Sequence, residues 1–507
     1  MKIAFFFDEP NYFGGAGSLL LKQAKLMARI HEVLVVVPIN EEGKENFKCV
    51  AWCEKSNLQH VGMKYKTSYN FRNVDFLDAL KRVDSICQLI KDEKIDFLHS
   101  AQINVAVELA SRKMNIPHLM NIYQLRREEF LFAQEDIYAH YHLCDSEMYS
   151  KIWREQLNVV SECMRPLSPL QYKLKEDIVA KNTYTILVLG LLCERKNQLA
   201  AIQAIEKLEG KLELQLIIAG DYNNLYGNEC VDYVNSHDLP NKVKFVGFMT
   251  DVESLFLHSD WFLLVSTDES FPSSIVEAVS YNLPIITTPV AGVPEIFRNQ
   301  FNAFVSYDYS VESIAQAIEE CYDSCQNSHI ADIQNNVTKT WDKYFSLEKN
   351  LKRMDDYYTR IIVENKESPR KCVDKKLIQE VEQTKIQIVS KCNNAPNLIQ
   401  KSFYYNYLLK ELQSKKDRKA YIWGAGMLGY LAYDFLTNLI PDIEVVNFID
   451  SYKEGMYQGV SIERYENIVW DKECCLVFIA FAGDIWTSVE RLKKDGLIFG
   501  ENIWILP

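Results

Sequence analysis

Apolar runs alternate with helical apolar faces along the first third of the chain. Lys2–Phe7 and Val33–Pro38 read as strands, and Ser18–Ile30 between them carries leucine, alanine and methionine on one broad helical face. Further apolar runs lie at 95–99, 116–121 and 140–145. Runs that are apolar throughout, rather than at every second position, are typical of parallel strands covered on both faces. The pattern predicts a doubly wound α/β domain over residues 1–165.

The same alternation restarts twice. After the proline-bearing stretch Arg165–Pro169, the predicted strands lie at 185–189, 214–219, 243–246, 261–265 and 284–287, with helices such as 198–208 and 274–281 between them. This predicts a second doubly wound domain over 170–340, followed by one long amphipathic helix over 341–363. Residues 364–418 are polar and predict a helical linker. Strands at 420–423, 445–449, 476–480 and 503–506 predict a third, smaller α/β domain over 419–507.

The composition of the chain excludes several classes of function. The chain is 48% apolar and 25% charged, which is an ordinary globular mixture. Its net charge of −13 argues against general nucleic-acid binding. The 13 cysteines are an odd number without zinc-site spacing, so we expect reduced thiols and no metal site. Without a signal peptide or a membrane-length apolar run, we expect a cytoplasmic protein. Arg126, Arg127 and Lys151 could support a peripheral contact with the inner face of a membrane.

The strongest chemical signal is a pair of glutamates, Glu269 and Glu277, on either side of a helix start. Pro272 prevents a helix from including Glu269, so this glutamate should lie in a loop, with Glu277 about one turn into the next helix. The helix N-terminus near Ser273 offers free backbone N–H groups and the positive end of a dipole. This arrangement suits a phosphate or a sugar flanked by two carboxylates. Two solvated surface acids are the alternative that spacing leaves open.

This segment resembles the E-x7-E motif of retaining family 4 glycosyltransferases, which have the GT-B fold. The resemblance extends over about residues 1–362. Gly190–Asn197 looks like the diphosphate-binding turn of that family, and Gly14-Gly15 looks like its N-terminal glycine loop. The strand ends Ile217–Asp221 and Val243–Phe248 are similar to those that frame the nucleotide. The implied fold is GT-B, with two doubly wound Rossmann-like domains, the first on the acceptor side and the second on the donor side.

The resemblance gives each residue a role. Lys196 and Arg195 would stabilise the charge of a leaving diphosphate, and Glu269 would bind hydroxyls of the transferred sugar, so these three are the predicted catalytic residues. Glu277 would accept hydrogen bonds from the ribose. No cofactor is required for the transfer beyond the UDP- or GDP-linked nucleotide sugar itself. The predicted donor-binding residues are Glu277, Gly190, Phe271, Ser273, Ser274, Gly14, Gly15, Val246 and Gly247.

Two positions depart from the family pattern. The family often has Arg directly after the glycine of the phosphate turn, where this chain has Leu191. It also often has His near the sugar, where this chain has Tyr123, with His118 and Asn121 nearby. We expect His118 to be structural. These departures bear on the identity of the donor and on the turnover rate.

The third domain carries a glycine pattern of its own. Gly424, Gly426 and Gly429 follow a strand, and Asp450 ends the next one, which is the dinucleotide-binding pattern. The stretch resembles small Rossmann-like domains of nucleotide-sugar-modifying and polysaccharide-biosynthesis enzymes. These four residues are a candidate nucleotide site. NAD(P) is a less favoured candidate ligand for this site than a nucleotide in general. Glycines that only permit a tight turn, or a domain that docks a partner, are the alternatives, and Gly483-Asp484 could line a ligand edge.

Three functions follow from these patterns. The first is a retaining glycosyltransferase that moves a sugar from a nucleotide sugar to a glycan or lipid-linked acceptor in surface polysaccharide biosynthesis. The second is a catalytically weak GT-B scaffold that binds a nucleotide sugar, which Leu191 and Tyr123 favour. The third is a nucleotide-sugar oxidoreductase that uses the C-terminal domain. The intact set of Glu269, Glu277 and Lys196 favours the enzyme of the first kind.

Overall fold

Three separate β-sheets, each flanked by helices, follow one another along the chain. The computed structural model describes residues 1–8, 11, 13–40, 42–65, 76–101, 104–123, 139–157, 159–167, 182–249, 252–327, 329–372, 375–399, 402–415, 418–481 and 485–506. The first two sheets are parallel throughout, and the third is parallel except for one hairpin at its edge. The α/β class and the Rossmann-like arrangement expected from the apolar runs are confirmed.

The first sheet has seven strands in the order β3-β2-β1-β4-β5-β6-β7. Its elements are β1 Lys2–Phe6, α1 Gly15–Met27, β2 Glu32–Pro38, α2 Phe47–Lys55, β3 Gln59–Met63, α3 Phe76–Asp92, β4 Phe97–Ala101, α4 Val105–Met114, β5 His118–Asn121, β6 Tyr141–Cys144, α5 Glu147–Leu157 and β7 Val160–Cys163. The pattern did not predict β3 and β7. Both are edge strands whose side chains are mostly half-buried, so they lack a continuous apolar run.

The second sheet has six strands in the order β10-β9-β8-β11-β12-β13. Its elements are β8 Thr183–Leu189, α6 Gln198–Lys207, β9 Glu213–Ala219, α7 Leu225–Ser236, β10 Val243–Gly247, α8 Glu253–His258, β11 Trp261–Leu264, α9 Ser273–Ser280, β12 Ile285–Thr287, β13 Phe304–Val305, α10 Val311–Gln326 and α11 Ile330–Thr340. Its helices and strands enclose one apolar core, in which Trp261 stacks on Tyr184 with ring centroids 4.4 Å apart.

The segment after the second sheet returns to the first one. A single helix over 341–363 was predicted, but the chain instead forms a π-helical turn, Trp341–Phe345, followed by α12, Leu347–Glu367. Met354 and Tyr358 of α12 are buried in the core of the first sheet. The Tyr358 hydroxyl lies 2.5 Å from Nδ1 of buried His99. Helix α12 therefore anchors the end of the second unit on the first.

The third sheet has six strands in the order β16-β17-β15-β14-β18-β19. Its elements and those of the linker are α13 Lys375–Lys391, α14 Ala395–Leu398, α15 Ser402–Leu412, β14 Lys419–Trp423, α16 Met427–Leu439, β15 Glu444–Ile449, β16 Gly455–Tyr457, β17 Val460–Glu463, β18 Cys475–Ile479, α17 Ile485–Lys494 and β19 Ile503–Ile505. The hairpin β16–β17, which the sequence pattern did not predict, pairs antiparallel at the edge.

A continuous apolar cluster joins the third sheet to the first. Ile86 and Ile90 of α3 belong to the same cluster of buried side chains as Val381 of α13 and Val477 of β18. The third unit is thus packed on the first, through the linker helix. In the part of the chain that the structure describes, every helix is too short or too polar to span a membrane.

Candidate active site

The loops at the carboxyl ends of the first two sheets meet in a cleft. The loop after β11 contains Glu269 and Ser270, and Ser270 hydrogen-bonds to Asp145, which follows β6. Helix α1 reaches the same place from the first sheet. Carboxyl ends of parallel strands are the usual location of ligand sites in open α/β folds.

Glu269 is held by both predicted cations. Its Oε1 forms an ion pair with Nζ of Lys196 and lies 3.3 Å from NH1 of Arg195. Lys196 and Arg195 sit in a 3-10 turn, Glu194–Lys196, just after β8. The Glu269 and Lys196 side chains are only 12% and 16% exposed, whereas Arg195 is 47% exposed. The structure therefore brings the three predicted catalytic residues together, with Lys196 as the sheltered cation.

Glu277 is the fifth residue of α9, about one turn into the helix as the position of Pro272 predicts. Its Oε1 lies 3.1 Å from Nζ of Lys22, which belongs to α1 of the first sheet. Both side chains are largely shielded from solvent, at 17% and 13% exposure. This ion pair crosses the cleft. Lys22 was not predicted as a site residue; the signal that the sequence offered is a lysine directly after three leucines on α1.

The predicted backbone contacts lie around the same cleft. Gly14 caps the N-terminus of α1 without a side chain, and a Cβ placed on Gly15 would meet no atom within 4 Å. Gly190 ends β8 with φ +152°, and a Cβ there would approach only the Lys196 side chain, at 3.7 Å. Backbone can therefore approach a ligand at both places. Gly247 ends β10 with a φ of +72°.

The remaining predicted donor residues have unequal access to a ligand. Ser273 is exposed at the start of α9, Ser274 is 8% exposed, and Val246 is 37% exposed. Phe271 is only 4% exposed, and its ring lies under the Arg165 guanidinium, 5.0 Å from the ring centroid. Its side chain therefore faces the contact between the two units, and only its backbone is left for a donor.

The two departures from the family pattern have different surroundings. Leu191 is 45% exposed just after β8, so its own side chain offers no charge to a phosphate, and the guanidinium of this turn is that of Arg195. The Tyr123 hydroxyl accepts a hydrogen bond from Nδ2 of Asn121 at 3.0 Å, and burial raises its pKa well above the usual value. His118 is buried between Glu108 and Ser100, 2.9 and 2.8 Å away, which fits the structural role expected of it. Arg126 and Arg127 lie outside the described residues.

Asp145 is a buried carboxyl group beside the loop that carries Glu269 and Ser270. It is 5% exposed, and burial raises its pKa to about 8, although Ser270 and Arg165 act in the opposite direction. NH1 of Arg165 donates to the Asp145 carbonyl oxygen at 2.8 Å. Protonation of this carboxyl group is thus linked to the contact between the two units.

Replacing Asp145 by Asn should flatten the pH dependence of stability. The folded-state pKa is raised above the unfolded value of about 3.9, so the stability that this group contributes is full below that value and is lost as the pH rises through about 8. The thermal midpoint of the wild type should fall between pH 6 and pH 8.5, and that of Asp145→Asn should fall less. Calorimetry at both pH values measures this, and equal slopes would contradict it.

The glycine turn of the third sheet uses its acidic residue internally. Oδ2 of Asp450 accepts from the Ala425 N–H at 2.9 Å, and Oδ1 accepts from the N–H groups of Tyr452 and Lys453 at 2.8 and 2.9 Å. Burial acts to raise the Asp450 pKa, but these three donors outweigh it and lower the pKa. The carboxylate is therefore committed to the backbone, whereas in dinucleotide sites it binds the ribose.

Packing explains two of the three glycines in this turn. A Cβ on Gly429 would lie 1.7 Å from the Gly424 carbonyl oxygen, and one on Gly424 would lie 2.7 Å from that of Ala480. At Gly426 there is open space. A packed first and third glycine with an open second one is also the arrangement of dinucleotide-binding turns, so these contacts leave both alternatives open. Gly483 and Asp484 lie outside the described residues.

Asp450→Asn should destabilise the third unit without changing donor binding. An amide is uncharged and has one acceptor oxygen instead of two, so all three N–H groups lose a charged partner and at least one loses its acceptor, at a cost of about 1.5–3 kcal/mol. We expect a lower thermal midpoint and unchanged UDP affinity, measured by calorimetry and titration of the full chain. A change in nucleotide affinity without a change in stability would point instead to a ligand site.

Comparison with known proteins agrees with this geometry. Residues 173–338 match the family described as glycosyl transferases group 1. The chain is 22% identical to the UDP-Gal:alpha-D-GlcNAc-diphosphoundecaprenol alpha-1,3-galactosyltransferase of Escherichia coli over 58% of this chain and 82% of that protein. It is 27% identical to the phosphatidylinositol N-acetylglucosaminyltransferase GPI3 subunit of Saccharomyces cerevisiae, over 36% of this chain and 41% of that protein.

Solved structures share the fold of much of this chain. Anabaena HepE, in complex with UDP and glucose, superimposes with a TM-score of 0.57 at 18% identity, covering 71% of this chain and all of HepE. A glycosyltransferase from Rickettsia africae gives a TM-score of 0.59 at 18% identity, with 71% and 98% of the two chains covered. These neighbours have the GT-B fold. The chain is therefore a glycosyltransferase, with a group 1 domain at residues 173–338 of a GT-B fold.

Proposed function

We propose that this chain transfers a sugar from a UDP-linked donor to a glycan or lipid-linked acceptor, with retention of anomeric configuration. The observation that carries the proposal is a set of two glutamate–cation pairs: Glu269 with Lys196 within the second unit, and Glu277 with Lys22 across the cleft. A GDP-linked sugar is the alternative donor. We assign the first unit to the acceptor and the second to the donor.

The chemistry follows from the charges in the cleft. As the bond between the sugar carbon and the donor phosphate breaks, negative charge grows on the leaving diphosphate. Lys196 and Arg195 lie where fixed cations can stabilise that charge, so the proposal requires no metal. The acceptor hydroxyl forms the new bond on the same face of the sugar, and its proton passes to the leaving phosphate. Glu269 holds hydroxyls of the sugar, and Glu277 holds those of the ribose.

The relatives support the acceptor class. The Escherichia coli relative is named for transfer of galactose from UDP-Gal to a diphosphoundecaprenol-linked sugar, and the yeast relative for phosphatidylinositol. Both names describe a lipid-linked acceptor. We therefore infer a role in surface polysaccharide biosynthesis, in which a lipid-linked acceptor would bring this chain to a membrane surface.

A scaffold that binds nucleotide sugar without turnover is the second candidate. Leu191, exposed and uncharged at the phosphate turn, is the observation that favours it. Turnover separates the two functions, because only an enzyme releases a diphosphate from the donor.

A nucleotide panel on the full chain tests the proposal. UDP at about 100 times its dissociation constant should stabilise the fold by roughly 2.7 kcal/mol, which a thermal-shift assay detects. UDP-sugars should then release UDP in the presence of a lipid-linked or glycan acceptor. Tight binding of UDP, with no release of UDP from UDP-sugars in the presence of any acceptor, would support the scaffold function. A shift with NAD(H) and none with UDP or GDP would reject both.

A further inference from the structure

One carboxylate of the second unit is held entirely by the first. Glu295 ends a 3-10 turn, Val293–Glu295, after β12. Its two oxygens accept from the N–H groups of Glu147 and Met148, at 2.9 and 2.8 Å, and from NH2 of Arg165, at 2.5 Å. Glu147 and Met148 are the first residues of α5, so Glu295 caps that helix from across the contact between the units. A carboxylate is favoured at this end of a helix dipole.

The same contact reaches the catalytic loop. The Gly292 N–H donates to the Ser270 carbonyl oxygen at 3.1 Å, which ties the turn that carries Glu295 to the residue next to Glu269. A Cβ on Gly292 would lie 2.7 Å from Cβ of Ser146, so the first unit is packed tightly against this turn. Any shift of the turn must therefore also move the loop that carries Glu269.

Arg165 lies at the centre of this contact. Its guanidinium binds Glu295, donates to the Asp145 carbonyl oxygen, and covers the Phe271 ring, two residues after Glu269. The Arg165 side chain is only 8% exposed, and that of Glu295 is 21% exposed. A guanidinium can bind a carboxylate, a carbonyl and an aromatic face together, which a lysine cannot do equally well.

We propose that Glu295 and Arg165 form a clamp that fixes the angle between the two units and thereby positions Glu269 and the bound donor relative to the acceptor on the first unit. The proposal rests on the donor site proposed above. Glu295 touches neither donor nor acceptor in this role, so it is a positioning residue. Its loss should lower kcat through misplacement of the reacting groups and should leave the affinity for UDP nearly unchanged, because Glu277, Lys196 and Arg195 all lie within the second unit.

Two variants and one control test the clamp in the full chain. Glu295→Gln keeps the shape but places an amide N–H₂ against donors, and Arg165→Met keeps the stem without the guanidinium. Each should lower kcat by roughly 10- to 100-fold, the size expected for a small misplacement, with the UDP dissociation constant within about threefold of the wild type. Glu348→Gln is the control, because Glu348 also pairs with an arginine of the first unit, Arg29 at 2.7 Å, but both are exposed. Its kcat should not change.

Small-angle X-ray scattering measures the overall dimensions of the protein, so it tests the clamp without relying on turnover. Glu295→Gln should give a larger radius of gyration than the wild type, and Glu348→Gln should not. If Glu295→Gln loses thermal stability but keeps the wild-type kcat and scattering curve, then Glu295 has only a structural role and the proposal is overturned. If the wild type itself turns over no donor, the proposed function fails, and scattering alone then tests whether the clamp exists. An unchanged radius of gyration in both Glu295→Gln and Arg165→Met would overturn the clamp proposal.

Discussion

Replacing Lys196 by Met should lower kcat by about 10²–10³-fold, which is the loss measured when one preorganised charge-stabilising donor is removed from an active site. Lys196 is the sheltered cation of the pair beside Glu269, whereas Arg195 is half-exposed. The charge on the diphosphate grows as the sugar leaves, so Lys196 should contribute more in the transition state than in the bound donor. The affinity for UDP-sugar should therefore fall less than kcat does.

Steady-state kinetics with a UDP-sugar and acceptor measures this effect, and Lys207→Met is the matched control. Lys207 is a lysine of the same unit that pairs with Glu312 at 2.7 Å, but it is 49% exposed at the end of α6. Its variant should keep kcat within about twofold, as expected for a surface pair of small energy. If Lys196→Met retained the wild-type kcat, Lys196 would not stabilise the leaving group.

Replacing Glu277 by Gln should weaken UDP binding by about 10- to 100-fold. The ribose hydroxyls would lose a charged acceptor, and hydrogen bonds to charged groups contribute about 1.5–3 kcal/mol, with 1.4 kcal/mol for each factor of ten. Glu277 is 17% exposed beside Lys22, so solvent cannot readily replace the missing charge. Calorimetric titration with UDP measures the dissociation constant directly.

The pair with Lys22 makes this prediction more specific. Lys22→Met alone should change UDP affinity, and the double variant should differ from the sum of the two single effects because the side chains lie 3.1 Å apart. Glu312→Gln removes an exposed carboxylate of the same unit and should leave UDP binding unchanged. Additive effects of Glu277 and Lys22 would show that the ion pair has no part in the donor site.

Local signals in the sequence were sufficient for the α/β class and for the positions of Glu269 and Glu277. Continuous apolar runs predicted the central strands, because strands covered on both faces bury every side chain. Pro272 alone was enough to separate Glu269 in a loop from Glu277 in a helix. Edge strands β3 and β7 were missed because one side of each faces partly polar surroundings, which interrupts the apolar run.

The contacts across the cleft could not be predicted in the same way. Lys22 and Arg165 meet Glu277 and Glu295 only after two separate units have packed together, and no spacing rule relates residues so far apart in the chain. The contacts of Asp450 were also not predictable from the sequence. Its position after a strand is that of a ribose-binding acid, and the structure adds three backbone N–H donors from the local turn.

The shared interior of the first and third units has a mechanical consequence. Because one apolar cluster runs from α3 through α13 to β18, separating these units would expose side chains that are now buried, such as Ile90 and Val477. We therefore expect the first and third units to move as one body, so that a hinge motion in this chain would lie between the second unit and the other two.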